Sequence, residues 1–576
     1  MNPVGLSSAG FALLAALITP STAPVSVDLK RPGTGPVTVL SVIQGGEALE
    51  WAGTRMAGGD INGDGIADLV VAAPGGTDDR PSRRGRLYVV FGGVAAPKPL
   101  VDLKLRRRAG SAPGSQPEPI SDADIVINGA DDFDHLGRAV AVADLDADGF
   151  ADIIVGSPRA DGPGNSRPDC GEVHVIHGAA SLSRTIDLGR VIPDPAAGLR
   201  VSVMYGRAPG DGFGSVIQTG DVTGDGLVDL LISSPLADLL PGPLGALDAG
   251  EMILIPARGP AAPFPQMLDL ANIPAGSGIS VLRGADAGDQ AGSSVAIGDF
   301  DGDTASDIAI GARGGDGPGN QRPDSGEVYL IFGPVVLPPV VALGVDSTLL
   351  IAAPDIGDLA GGSLAMGDID ADGRFDLVIG AEFADGRANG RLDAGELHVV
   401  AGRSRAEVEL LRPPPPANAG RTSAPLATPP PPGPVWIDLA LSSIPGHWVF
   451  HGADPGDHTG IRAVADLDDD GHFDLVIGAE DGASKRNSRA GGGEIRILAG
   501  RKPMPGAMVL DGSEGVSIFG PVGGAHLGGA VALVDLNGDS RPELVVSAPQ
   551  AGVALSGRTW VLSAAWRDLL KQTARR

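Results

Sequence analysis

Seven stretches of this chain place acidic side chains at alternate positions, beginning with DINGDGIADLVVAAP from Asp60 to Pro74. Counting each from its first Asp, positions 1, 3, 5 and 9 of the first are Asp60, Asn62, Asp64 and Asp68. The next are Asp144, Asp146, Asp148, Asp152, then Asp221, Thr223, Asp225, Asp229, then Asp299, Asp301, Asp303, Asp307. The last three are Asp368, Asp370, Asp372, Asp376, then Asp466, Asp468, Asp470, Asp474, and finally Asp535, Asn537, Asp539, Glu543. Calcium takes about six to eight hard oxygen ligands, and carboxylates at alternate loop positions can curl around one ion. Position 7 can add a backbone carbonyl, from Ile66, Phe150, Leu227, Ala305, Arg374, His472 or Arg541. Position 6 is a turn position, Gly in five copies but Thr304 and Ser540 in the fourth and seventh.

An EF-hand closes its shell with a bidentate Glu at its twelfth position. Here that position is Val71, Val155, Ile232, Ile310, Ile379, Ile477 or Val546, each within an apolar run that reads as a buried strand. The loop is therefore a self-contained calcium loop between two strands, closed by the carboxylate at position 9. Up to seven Ca2+ ions are expected, and they would neutralise half of the formal charge of −28. Asp-rich turns without metal are the alternative, because Asp and Asn favour turns in any case. The third, fourth and seventh loops depart furthest, through Thr223, Thr304, and Ser540 with Glu543.

The elements around the loops repeat with them. Successive loop starts are 84, 77, 78, 69, 98 and 69 residues apart. After each loop comes a β-rich run entered through Gly, such as GRLYVVFGG (85–93), GEVHVIHG (171–178) or GEVYLIFG (326–333). Between repeats lies a short "DL" element: LVDLKL (100–105), TIDLGRV (185–191), MLDLANI (267–273), WIDLALSSI (436–444). Each leads to a further apolar run, such as ISVLRG (279–284). A last run enters the loop itself, as in SSVAIGD (293–299). About four strands per repeat predict an all-β, seven-bladed propeller spanning residues 25–566. VSVDLKRPGTGPVTVLSVIQG (25–45) carries the same interblade element ahead of the first loop, so it is expected to supply the outer strand of the last blade and close the ring.

Composition supports this frame. With 88 Gly, 49 Pro and 4% aromatics, the 576 residues suit short strands joined by turns. The single Cys170 excludes an intramolecular disulfide and a thiolate zinc site. The acidic balance argues against nucleic acid as a partner. An apolar run, Ala9–Ile18, is too short to span a bilayer but suits a signal peptide over residues 1–23, although no Lys or Arg precedes it. No other segment reads as transmembrane. A proline-rich insertion, 412–434, explains the 98-residue spacing, and residues 567–576 are left as a tail.

At this point the sequence resembles FG-GAP repeats, the units of the propeller at the head of integrin α subunits. The motif elements are Phe213–Gly214 and the variants AAP (72–74), GSP (156–158) and SAP (547–549). Related repeats occur in a glycosylphosphatidylinositol-specific phospholipase D and in bacterial exported proteins. The resemblance implies calcium at the loop positions named above and an adhesive role. Within these 576 residues no counterpart of the integrin β-sandwich domains or of the phospholipase's catalytic domain is expected.

The remaining residues give weaker signals. Cys170 in RPDCGEV occupies the slot of Ser325 and Ala394 and reads as a small turn residue. His174 and His177 read as strand residues with surface or packing roles. Asp134, Asp211, Asp289, Asp358 and Asp457 stand in D-x-x-G turns, with Glu50 and Ala525 in the variant copies. They read as turn caps or as a polar rim opposite the metal loops. Arg80, Arg83, Arg84, Arg167, Arg322, Arg391, Arg486 and Arg489 are expected in the loops between second and third strands, solvated or facing a partner. No P-loop or G-x-S-x-G appears. The function expected is an exported, monomeric, calcium-binding propeller that binds an extracellular protein or glycan and is not an enzyme. The alternatives are a lyase-like enzyme, a lectin, or a purely structural protein. A cluster of Arg, His and carboxylate in one cleft would favour the enzyme.

Overall fold

The computed structural model describes residues 25–571 except 31–37, 47–48, 76–83, 95–97, 105–120, 191–198, 239–246, 258, 260–263, 335, 413–433, 441–443, 483–488, 502–505, 513, 564–566 and 569. The expected signal segment, nearly all of the proline-rich insertion, and Arg80, Arg83 and Arg486 lie outside the described residues.

Seven sheets carry the seven acidic loops, one each. In the first blade Arg55–Gly59, Asp68–Ala73, Arg86–Val90 and Ile125–Asn128 run antiparallel in that order. The acidic loop joins the first strand to the second. Every second strand is fully buried along its length, including Asp68–Ala73, Asp152–Ser157 and Asp376–Ala381. These runs are apolar on both faces because blades pack against each side of them. First strands touch those of both neighbouring blades, and Val531–Val534 of the seventh blade touches Arg55–Gly59 of the first. That contact closes a seven-bladed propeller. The approach is tight enough that a Cβ on Gly58 would lie 2.4 Å from the Val534 side chain.

The sequence reading of four strands per blade falls one short, because each sheet has five. The fifth is the interblade "DL" element, which pairs parallel with the outer strand of the preceding blade. Thr185–Asp187 lies on Ile125–Asn128 in this way, and Met267–Asp269 lies on Val201–Tyr205. Strands of three or four residues were not legible as strands in the sequence, yet they cover edges that would otherwise be open. Closure follows the same plan. Val39–Gln44 pairs with Arg558–Leu562 as the fourth strand of the seventh blade. Val25–Asp28 lies parallel on Val516–Phe519 as the fifth strand of the sixth.

Several of the loop arginines pin this edge strand. Arg167 reaches Asp269 at 2.8 Å, Arg322 reaches Asp438 at 2.9 Å and Arg489 reaches Asp28 at 2.8 Å. The same guanidinium groups donate to carbonyls of Gly206, Ala353 and Gly520. The D-x-x-G carboxylates are buried turn caps: Asp134, Asp211 and Asp289 each accept the N–H three residues before them. Cys170 is buried, and burial pushes its thiol up to about 11. Past the last blade, Arg567 bonds Asp469 at 3.2 Å and Leu570 packs into the core between the sixth and seventh blades. No helix among the described residues is long and apolar enough to cross a membrane.

Candidate functional site

The seven acidic loops share one hydrogen-bond plan. The position 1 carboxylate accepts the N–H groups of positions 5 and 6. Asp60 takes Asp64 and Gly65 at 3.0 and 2.8 Å, and Asp535 takes Asp539 and Ser540 at 3.1 and 2.7 Å. Asp144, Asp221, Asp299, Asp368 and Asp466 do the same. The position 5 carboxylate accepts the N–H of position 7, so Ile66, Phe150, Leu227, Ala305, Arg374, His472 and Arg541 are each held by the side chain two residues before them. Position 6 adopts a left-handed backbone, with φ from +82° to +91° at the five glycines, +74° at Thr304 and +64° at Ser540.

Position 9 opens the buried second strand. Asp68, Asp152, Asp229, Asp307, Asp376 and Asp474 are all fully buried. One oxygen accepts the N–H of position 2, as Asp474 does from Leu467 at 2.8 Å. The other accepts an N–H just beyond the third strand, as Asp474 does from Gly500 at 2.9 Å. Burial raises Asp68 to about 6, Asp307 and Asp376 to about 7 and Asp474 to about 8, against the pull of these N–H donors. In the seventh loop Glu543 takes Leu536 N–H and the Asn537 amide, so that loop satisfies itself.

Position 3 decides which loops are cation cradles. In the second, fourth, fifth and sixth loops it is Asp, and there three acidic ligand atoms lie within 4.8 Å of one another. These sets are Asp144, Asp146, Asp148; Asp299, Asp301, Asp303; Asp368, Asp370, Asp376; and Asp466, Asp468, Asp474. Both oxygens of Asp468 and one of Asp146 are buried without a hydrogen-bond partner. A buried carboxylate oxygen needs a donor or a cation. The residues therefore fit a hard divalent ion, best in the sixth loop. Asn62, Thr223 and Asn537 hold position 3 in the remaining loops. The first loop thus joins the third and seventh among the weaker candidates, and the fourth has a full acidic set.

That fourth set already faces a cation. Arg405 opens the short helix Arg405–Leu410, which is capped by Ser404 and Glu407. Its guanidinium lies 2.5 Å from Asp301 and 2.7 Å from Asp303, donates to the Gly333 carbonyl, and sits over the Phe332 ring. The second loop has partners that the sequence reading missed. His177 Nδ1 lies 3.3 Å from Asp152 and 3.7 Å from Asp146, and Arg200 bonds Asp146 at 2.9 Å. His177 stands one residue before the Gly that bonds Asp152, a place visible only once the third strand is set beside the loop. His174, by contrast, stands away from the loop, 3.9 Å from Glu172, and burial lowers it to about 4.

The end of the first strands away from the acidic loops opens on the propeller axis. There a cavity of about 580 Å³ is lined by residues of all seven blades, among them Trp51, Arg55, Arg138, Arg462, Glu382, Glu480 and His526. His526 Nδ1 lies 2.8 Å from Asp481, which also bonds His458 at 2.7 Å. Nothing in the repeat pattern marked this cavity, because its side chains come from positions that vary between blades.

The family model for the FG-GAP repeat matches residues 52–90, 136–176, 291–331, 360–400 and 527–562. These segments are the first, second, fourth, fifth and seventh blades. The chain contains FG-GAP repeats. The third and sixth blades of this FG-GAP propeller lie outside the matched segments but share the five-stranded sheet. The phosphatidylinositol-glycan-specific phospholipase D of Rattus norvegicus is 32% identical over 186 residues, 32% of this chain and 18% of that protein. Integrin alpha-10 of Homo sapiens is 31% identical over 219 residues, 38% of this chain and 15% of that protein. The chain thus spans less than a fifth of the length of these two curated relatives. The V. cholerae biofilm matrix protein Bap1 aligns over 94% of this chain and 90% of its own, at 11% identity and a TM-score of 0.31, too low for the superposition to carry weight.

Proposed function

We propose that this FG-GAP propeller is a calcium-stabilised binding module that works outside the cytoplasm on a protein or glycan partner. The observation that carries the calcium reading is the sixth loop, where Asp468 is buried with neither oxygen partnered, beside Asp466 and Asp474. A divalent ion there would be held by these carboxylates and would offset their mutual repulsion. Export is supported by the apolar run Ala9–Ile18 and by the millimolar calcium outside cells, which suits weak loop sites. The binding role is supported by the FG-GAP match and by the integrin relative.

Thermal unfolding in excess EDTA, in magnesium and in millimolar calcium tests this reading. A site that binds only the native state adds about 1.4 kcal/mol at tenfold excess over its Kd. A calcium-specific rise of many degrees is the expected result. An unchanged midpoint would reduce the loops to turns.

A second reading, an enzyme acting on an acidic glycan, is favoured by one observation. The axial cavity joins arginines, carboxylates and His526, whose ring is oriented by Asp481. A lyase would raise ultraviolet absorbance from the new C=C bond when mixed with a polyuronate, and a binding module would not.

A further inference from the structure

The axial cavity has two unlike walls. Arg462, Arg55 and Arg138 come from the sixth, first and second blades, and Ser215, Ser293 and Ser363 come from the third, fourth and fifth. Arg462 is committed to Glu382 at 2.7 Å and to the Gly528 carbonyl at 2.8 Å. Among the described residues the Arg55 side chain donates only to the adjacent Thr54 carbonyl, at 2.9 Å. Arg138 makes no ion pair among the described residues, and both it and Arg55 are exposed on the lining of the cavity. Glu382 and Glu480 also line the cavity and set two carboxylates against the three guanidinium groups, and Glu382 is taken by Arg462, so Arg55 and Arg138 are the arginines left toward a ligand.

The other groups call for a ligand that is more than an anion. Trp51 and the backbone around Ser363 stand on the cavity wall beside Ser215 and Ser293. Ser215 and Ser293 have spent their protons on the carbonyls of Gly212 and Gln290, both at 2.6 Å, so their oxygens remain as acceptors. Guanidinium pairs suit a carboxylate, hydroxyl acceptors suit sugar hydroxyls, and an indole suits the apolar face of a sugar ring with a polar edge. The volume lies in the range of small-molecule sites.

We propose that the axial cavity binds a uronate, its carboxylate between Arg55 and Arg138 and its hydroxyls toward the serine wall and Trp51. The proposal rests on reading the propeller as a binding module and names the chemistry of its ligand. It is tested by calorimetric titration of the full chain in calcium, at fixed ionic strength, with glucuronate, glucose and polygalacturonate. Glucuronate or polygalacturonate is expected to bind at least tenfold tighter than glucose. Preference for one over the other tells a free acidic sugar from a polymer residue. Arg55→Gln and Arg138→Gln are each expected to lose tenfold or more while the calcium-dependent melting rise stays. Equal affinity for glucose and glucuronate, or no binding of any of the three by the wild-type chain, would overturn the proposal without reference to a variant. Either result leaves the calcium reading standing, because melting tests that separately.

Discussion

At the scale of single residues, the acidic loops separate side chains that hold the backbone from those that await an ion. Asp474 accepts two buried N–H groups, from Leu467 and Gly500. Replacing it with Ala strands both donors, so Asp474→Ala should cost about 2–4 kcal/mol in denaturant unfolding even in EDTA. Asp468 accepts none. Asp468→Asn should leave stability in EDTA near wild type and remove one ion from the calcium count, read by equilibrium dialysis with elemental analysis. Arg405 makes the opposite case, since its guanidinium stands against Asp301 and Asp303. Arg405→Ala should let the fourth loop take calcium more tightly, and an unchanged count and affinity would show that the arginine does not compete. Thr304 holds a left-handed backbone at φ +74°, where the glycines of five other loops sit without strain. Thr304→Gly should stabilise the chain by about 1 kcal/mol or less, because the relief is partly offset by greater freedom in the unfolded chain.

At the scale of elements, edge strands of three or four residues tie each blade to the next, and Arg167, Arg322 and Arg489 pin three of them. Arg489 grips Asp28 through both terminal nitrogens and also holds the Gly520 carbonyl. Both members are largely buried, so removing one leaves the other charge poorly solvated. Arg489→Ala should therefore free Val25–Asp28 first, seen as faster amide exchange there and in the partner strand Val516–Phe519 before any global loss of structure. The acidic loops are linked as well. Ala151 N–H donates to the Asp60 carbonyl at 2.8 Å, and Phe375 and Phe473 donate to Asp299 and Asp368 in the same way. An ion that orders one loop thus bears on the loop of the preceding blade.

At the scale of the whole molecule, buried carboxyls set the pH dependence. Asp134, Asp289, Asp358, Asp307 and Asp376 are raised to about 7, and Asp474 to about 8, with burial the leading cause in each. An unfolded Asp has a pKa near 3.9, so between about pH 4 and 8 the folded chain binds more protons than the unfolded one. Without metal, the stabilising contribution of these groups is full below about pH 4 and lost as pH rises through 7 to 8. Melting in EDTA should fall from pH 5.5 to 8. In calcium the fall should flatten, because an ion at the loop carboxylates competes with protons and gains most at high pH. A midpoint in EDTA that rises over this range would contradict the burial argument.

Much of this was written in the chain. Asp at alternate positions, Gly at position 6 and β-branched residues at position 12 determined seven loops, seven blades and the end of each blade that carries the acidic groups, because each signal is local and repeats. That residues 25–45 take part in closing the ring was expected because they repeat an interblade element, but not that they divide, with Val25–Asp28 on the sixth blade and Val39–Gln44 inside the seventh, whose outermost strand is Leu100–Asp102. What the tertiary structure alone decided depends on residues far apart in sequence. Only packing sets His177 against Asp146 and Asp152 and carries Arg405 about a hundred positions back to Asp301. Likewise only ring closure gathers Arg55, Arg138 and Arg462 around one axis. A repeat pattern specifies what the blades share, and the groups that set this propeller apart stand at positions where the blades differ.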